Sequence, residues 1–164
     1  MLFRSAQAGW RTVLVDCDSH QSEVRQGLAA YLRGNASLDE IIDGNTLTRM
    51  FVIHAGGPIA VDLLMSPRMR EFIEALRKLF DYVVLDAPPL LPVVDALALA
   101  TVADKVVLVV EWGKTPRAVV AEAMKVLRPE AERVAGIVLN KVDLSTIRSD
   151  YLGYRRILEE RDDR

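Results

Sequence analysis

Short β-branched runs alternate with segments of helical period along the whole chain. Residues 12–16, 50–54, 82–86, 105–110 and 134–139 are rich in Val, Ile and Leu and read as five strands. Apolar residues three and four apart predict helices between them. Residues 2–8 read as the tail of a helix stopped by Gly9. Residues 21–32 form a helix or irregular helical turn ended by Arg33-Gly34-Asn35, and 38–42 a helical turn closed by Asp43-Gly44-Asn45. Ser66-Pro67 starts a helix, with Ser as N-cap and Pro at the first position; Phe72, Ile73, Leu76 and Leu79 then line one face. Residues 93–102 follow as a helix. Thr115-Pro116 starts another, with Val119, Val120, Ala123, Met124 and Leu127 facing inward, and 146–160 closes the chain as a terminal helix.

This alternation predicts an α/β fold, a three-layer sandwich around a mostly parallel sheet covered on both faces. The 105–110 run is apolar after its first residue and is expected deep in that sheet. Right-handed crossovers bring all strand C-terminal ends to one edge, where such sheets bind ligands. Asp16, Asp18, Asp86, Trp112 and Asn140 all fall there.

Composition narrows the picture. The 164 residues, 51% hydrophobic and 27% charged, suit one globular domain. A net charge of −2 gives no electrostatic reason to expect nucleic acid as a partner. The single cysteine, Cys17, excludes an intrachain disulfide and fits a reducing cytoplasm. Flanked by two aspartates, it reads as a small buried residue rather than a nucleophile. The most apolar stretch, 90–110, is interrupted by Pro92, Asp95, Asp104 and Lys105, so no membrane span is expected. Residues 1–9, with Arg4 and Gln7, do not read as a signal peptide.

The candidate chemistry is acidic. Asp16 and Asp18, two apart, point the same way if the strand persists that far. Magnesium is satisfied by one or two carboxylates plus phosphate oxygens and water. One carboxylate of the pair is alternatively a proton acceptor for an attacking hydroxyl; standing alone, the pair reads as a cap on the next turn. Asp86 ends an apolar strand and precedes Ala87-Pro88-Pro89, which stops the strand and stiffens the loop. Asn140-Lys141-Val142-Asp143 invites a GTPase reading, but the Asn amide equally suits an adenine edge or a turn. His20 and His54 have no partner at zinc spacing, and Ser19 lacks a nucleophile context. No G-x-x-x-x-G-K-S/T loop is present.

Together these segments resemble the cytoplasmic domain of bacterial tyrosine kinases of capsule and exopolysaccharide production, within the P-loop class of the ParA and MinD partition ATPases. Residues 8–18 resemble the Walker A′ segment, 80–89 with 93–96 the Walker B segment, and 55–69 the G-P…E-L-L-x-S-x-x-M stretch; 109–115 and 136–140 fit as well. The resemblance covers about residues 6 to 143. It implies ATP and Mg2+ as cofactors, with Asp16 and Asp86 organising the metal and Asp18 helping to activate a tyrosine hydroxyl. Pro88 and Asn140 would lie on the nucleotide side, and Tyr151 and Tyr154 in the region of the phospho-acceptor cluster. It also implies a membrane polysaccharide chain-length regulator as partner, self-association or pairing with an intact kinase, and a cytoplasmic place at the inner face of the membrane.

Three features depart from the family pattern: its first strand and phosphate loop, its Glu-x-x-Arg-x-x-Arg oligomerisation motif, and the Arg that usually ends the Walker A′ segment, where His20 stands. Residues 1–145 are therefore expected to form an incomplete P-loop kinase-like domain lacking the first strand and phosphate loop, and 146–164 a C-terminal helix with tyrosines. The reading is of a truncated kinase that neither binds ATP well nor transfers phosphate. About five apolar side chains of a central strand, at roughly 1.5–3 kcal/mol each, would rival the stability of a typical domain. A non-catalytic pseudokinase or interaction protein and a ParA/MinD-like partition ATPase are the alternatives.

Overall fold

The computed structural model of the protein describes residues 9–18, 26–45, 50–91 and 95–143. Along them the chain runs β1 (Thr12–Asp16), α1 (Leu28–Leu32), α2 (Leu38–Ile41), β2 (Asp43–Asn45), β3 (Met50–Ile53), α3 (Val61–Leu64) and α4 (Pro67–Leu79). It continues through β4 (Tyr82–Asp86), α5 (Asp95–Val102), β5 (Val106–Glu111), α6 (Arg117–Val126), a 3-10 turn (Arg128–Arg133) and β6 (Val134–Asn140). The expected helices at 2–8 and 146–160, Ser19-His20, and the tyrosines Tyr151 and Tyr154 lie outside the described residues.

β1 is the pivot. Its β-branched residues pair in parallel with β3 on one side and β4 on the other. Flanked on both sides, Thr12, Val13 and Val15 are fully buried. α4 covers this sheet because its apolar residues repeat with helical period: Met69, Phe72, Ile73 and Leu76 are buried together. Removing the three fully buried ones from water contributes on the order of 5–9 kcal/mol as an upper estimate. The helix starts where the Ser66 Oγ accepts the Met69 N–H at 3.2 Å, with Pro67 at the first position, as its sequence predicts. Arg77 and Lys78 sit in its last turn, the favourable end of the helix dipole.

The sheet differs from expectation in three ways. Asp43-Gly44-Asn45 is not a turn but a short strand, paired antiparallel with β3. A run with no apolar residue carries no strand signal; pairing with β3 alone holds it. Second, the strands form two sheets rather than one, β2-β3-β1-β4 and β5-β6. Third, β5 is not deeply buried: Val107 is 47% and Val109 61% exposed. The same applies to Tyr82 and Val84 of β4 and to Ile137, Val138 and Leu139 of β6. These strands keep one or both flanks open among the described residues, so their apolar sequence does not translate into burial.

Smaller corrections follow from the same cause. On α6 only Ala123 is buried, followed by Leu127 just beyond the helix, while Val119 and Met124 are exposed. The N-cap of α6 is Pro116, without a side-chain capping bond, so Thr115 does not cap it. Leu79 is exposed at the end of α4. α3 and the 3-10 turn carry too short a pattern to be read from the sequence.

Candidate functional site

The register of β1 with β4 places Asp16 directly opposite Asp86. Both are the last residues of parallel strands, so both carboxylates reach the same rim of the sheet. The pairing continues one residue further, where the Cys17 N–H donates to the Asp86 carbonyl at 2.9 Å. The Asp18 N–H donates to the Asp16 Oδ1 at 2.9 Å. Asp16 thus ties down the backbone two residues on through one of its oxygens.

Burial and, after it, crowding of like charge act on the acid groups of this rim. Burial first, and then Asp16 and Asp18, raise the Asp86 carboxyl above its ordinary value. Burial, followed by Asp16 and Asp86, pushes the Cys17 thiol up to about 12. Cys17 is therefore a buried, protonated core residue, as its flanking aspartates suggest. Pro88 is buried while Ala87 and Pro89 are exposed, so Pro88 braces the loop beyond Asp86 from within.

Asn140 lies on the same kind of edge, at the end of β6 and opposite Glu111. The Trp112 N–H donates to the Asn140 carbonyl at 2.9 Å, extending the β5–β6 ladder past the strand end. Asn140 Oδ1 accepts the Lys141 N–H at 2.9 Å, and Lys141 adopts a left-handed φ of 56° to allow it. Glu111 pairs with both Lys114 and Lys141, at 3.3 and 3.2 Å, and these partners hold its carboxyl below the usual range. This Glu111 cluster escapes sequence reading, because its two lysines come from different loops. Gly113-Lys114-Thr115 copies the end of a phosphate loop, but Leu108 stands where that motif needs its first glycine, and Lys114 is bound to Glu111.

The donor set suits a hard divalent cation held in part by water. Among the described residues, no group of three or more His, Cys, Asp or Glu side chains forms a complete protein cage. Magnesium does not need one: two carboxylates completed by phosphate oxygens and water suffice. A cation between Asp16 and Asp86 would also relieve the repulsion that raises Asp86. The pair thus fits Mg2+.

A mostly parallel α/β arrangement with two register-matched aspartates at a C-terminal strand rim is compatible with the P-loop class of nucleotide-handling folds. At the level of fold alone, the chain overlays on the MinD septum site-determining protein from Pyrococcus horikoshii, described with Mg-ADP, with a TM-score of 0.63 and 17% identity. No protein-family profile matches the chain. It is 35% identical over 161 residues to the tyrosine-protein kinase CpsD of Streptococcus agalactiae, covering 91% of this chain and 70% of that protein. It is 37% identical over 155 residues to the succinoglycan biosynthesis transport protein ExoP of Rhizobium meliloti, covering 87% of this chain and 20% of that one. The kinase domain of the Escherichia coli tyrosine kinase ETK overlays with a TM-score of 0.80 at 26% identity, covering 90% of this chain and 62% of that domain. The chain belongs to the bacterial tyrosine-protein kinase family of capsule and exopolysaccharide biosynthesis. It spans between a fifth and about two thirds of the length of these relatives. Among the described residues, no helix is long and apolar enough to cross a membrane.

Proposed function

We propose that this chain is the nucleotide-side part of a protein-tyrosine kinase domain that regulates capsule or exopolysaccharide synthesis and export. The observation that carries the reading is the register pairing of Asp16 with Asp86 at one rim. In this reading Asp16 and Asp86 hold Mg2+, which supplies charge neutralisation to the phosphates of ATP. Asp18, two residues beyond Asp16, takes the proton of the attacking tyrosine hydroxyl. Asn140, its Oδ1 held by the Lys141 N–H, turns its amide nitrogen to the adenine edge, and Pro88 keeps the Asp86 loop stiff. Tyr151 and Tyr154 are the phospho-acceptor candidates.

The partners that go with this reading are a membrane polysaccharide chain-length regulator at the cytoplasmic face and a second kinase copy. Three aspartates facing a triphosphate without a glycine-rich loop repel it, so ATP binding by these residues alone is weak. The test is an anti-phosphotyrosine assay on the chain incubated with Mg-ATP and an intact family kinase. Phosphotyrosine lost in Tyr151→Phe/Tyr154→Phe supports the acceptor role. Unchanged phosphotyrosine in that double variant removes it. Binding of Mg2+ that survives Asp16→Asn and Asp86→Asn together removes the metal assignment.

A further inference from the structure

Asn140 and the turn after it are held at three points, all within the β5–β6 sheet. From the neighbouring strand, the Trp112 N–H donates to the Asn140 carbonyl at 2.9 Å. The Lys141 N–H donates to the Asn140 side-chain Oδ1, also at 2.9 Å. Glu111, the register partner of Asn140, accepts Lys141 Nζ at 3.2 Å on one oxygen and Lys114 Nζ at 3.3 Å on the other. The second contact depends on an unusual backbone: Lys141 stands at φ 56°, in the left-handed region that a side chain disfavours. The facing loop turns left-handed as well, at Gly113 with φ 71°, but there the residue is glycine. Lysine at 141 gives the turn what glycine could not, a side chain that reaches across the strand pair to Glu111.

We propose that Glu111 is a positioning residue that fixes, through Lys141, which end of the Asn140 amide faces outward, and so makes this rim select adenine over a 6-oxo purine. The inference rests on the adenine reading of Asn140 given above. An Asn amide is an acceptor at one end and a donor at the other. With Oδ1 turned to the Lys141 N–H, Nδ2 is the end left to present donors outward. Those donors meet a ring nitrogen of adenine, and the second lone pair of Oδ1 accepts from the 6-amino group. Hypoxanthine carries an acceptor oxygen in place of that amino group, so one of the two contacts is opposed. An amide free to turn over loses this distinction. Glu111 itself touches no base; it acts only on the turn. The tether is an exposed ion pair, so its removal changes equilibria a few-fold rather than by orders of magnitude.

The test uses the whole chain, isotope-labelled for NMR, with Mg-ATP and Mg-ITP added to about 5 mM, where weak binding is still read. Glu111→Ala, checked for folding by circular dichroism, should speed exchange of the Lys141 N–H with solvent about threefold. In the unaltered chain ATP should shift the Asn140 side-chain NH2 signals at about tenfold lower concentration than ITP, one hydrogen bond's worth. Glu111→Ala should cut that ratio about threefold. Adding Lys141→Gly, which adopts the left-handed turn without strain, should restore the ratio, whereas general damage to the sheet would not be repaired by it. Lys114→Gln should leave both readings as they are, since Lys141 keeps its own oxygen of Glu111. Unchanged Lys141 exchange in Glu111→Ala, an unchanged ATP-to-ITP ratio there, or a loss that Lys141→Gly does not restore would each overturn the proposal. If neither nucleotide moves the Asn140 signals, the adenine reading falls and takes the selectivity with it, while exchange at Lys141 still decides the tether.

Discussion

Replacing Asp86 by Asn separates the charge of the rim from its shape. Asp86 and Asp16 face each other on neighbouring strands, so their carboxylates lie roughly 5 Å apart. Two like charges at that distance repel by about 1 kcal/mol in water and about 3 kcal/mol at an effective dielectric of 20. Asp86 is partly buried but more than a third exposed, so the lower figure applies after solvent screening. A carboxyl whose folded pKa is raised costs stability above that pKa, and the cost disappears below its unfolded value. Asp86→Asn is therefore expected to stabilise the chain at pH 7 by about 1 kcal/mol, or about 2–4 °C in Tm. The gain should vanish near pH 3, where both proteins carry an uncharged side chain. Urea melts of both proteins at the two pH values, with and without millimolar MgCl2, make the measurement. Mg2+ should raise the stability of the unaltered chain and do little for Asp86→Asn. A variant that is destabilised at pH 7, or that gains the same stability from Mg2+, refutes the argument from charge crowding.

Further outcomes are expected elsewhere in the molecule. Cys17 should resist iodoacetamide in the folded chain at neutral pH and react on unfolding, since its thiol titrates at about 12; mass spectrometry of pulse-labelled protein reads this directly. Phe72→Ala, at a fully buried site against the Tyr31 ring, should cost about 3–5 kcal/mol in a urea melt. Ser66→Ala removes the capping oxygen of α4 and should cost about 1 kcal/mol by the same method. Gly27→Ala should disrupt the start of α1, because a Cβ there would lie 2.2 Å from the His54 carbonyl that accepts the Leu28 N–H; loss of exchange protection at Leu28 and Ala29 reports it.

Local pattern was enough to announce the strands and the capped helix α4. Short apolar runs rich in Val and Leu, and a Ser-Pro start followed by apolar residues of helical period, carry their structure in the residues themselves. The acidic strand ends were legible for the same reason: a strand's last residue is at the rim whatever its neighbours. What the sequence could not say was which strand stands beside which. Asp16 and Asp86 are 70 positions apart, and only the β1–β4 register sets them face to face. Strand β2, Asp43–Asn45, has no signal of its own and exists through β3. β5 reads as a core strand and is half exposed, because burial depends on neighbours, and apolar character only states a preference for having them. Residue type thus fixed the elements and their chemistry, while long-range pairing decided which carboxylates meet and which apolar edges stay open.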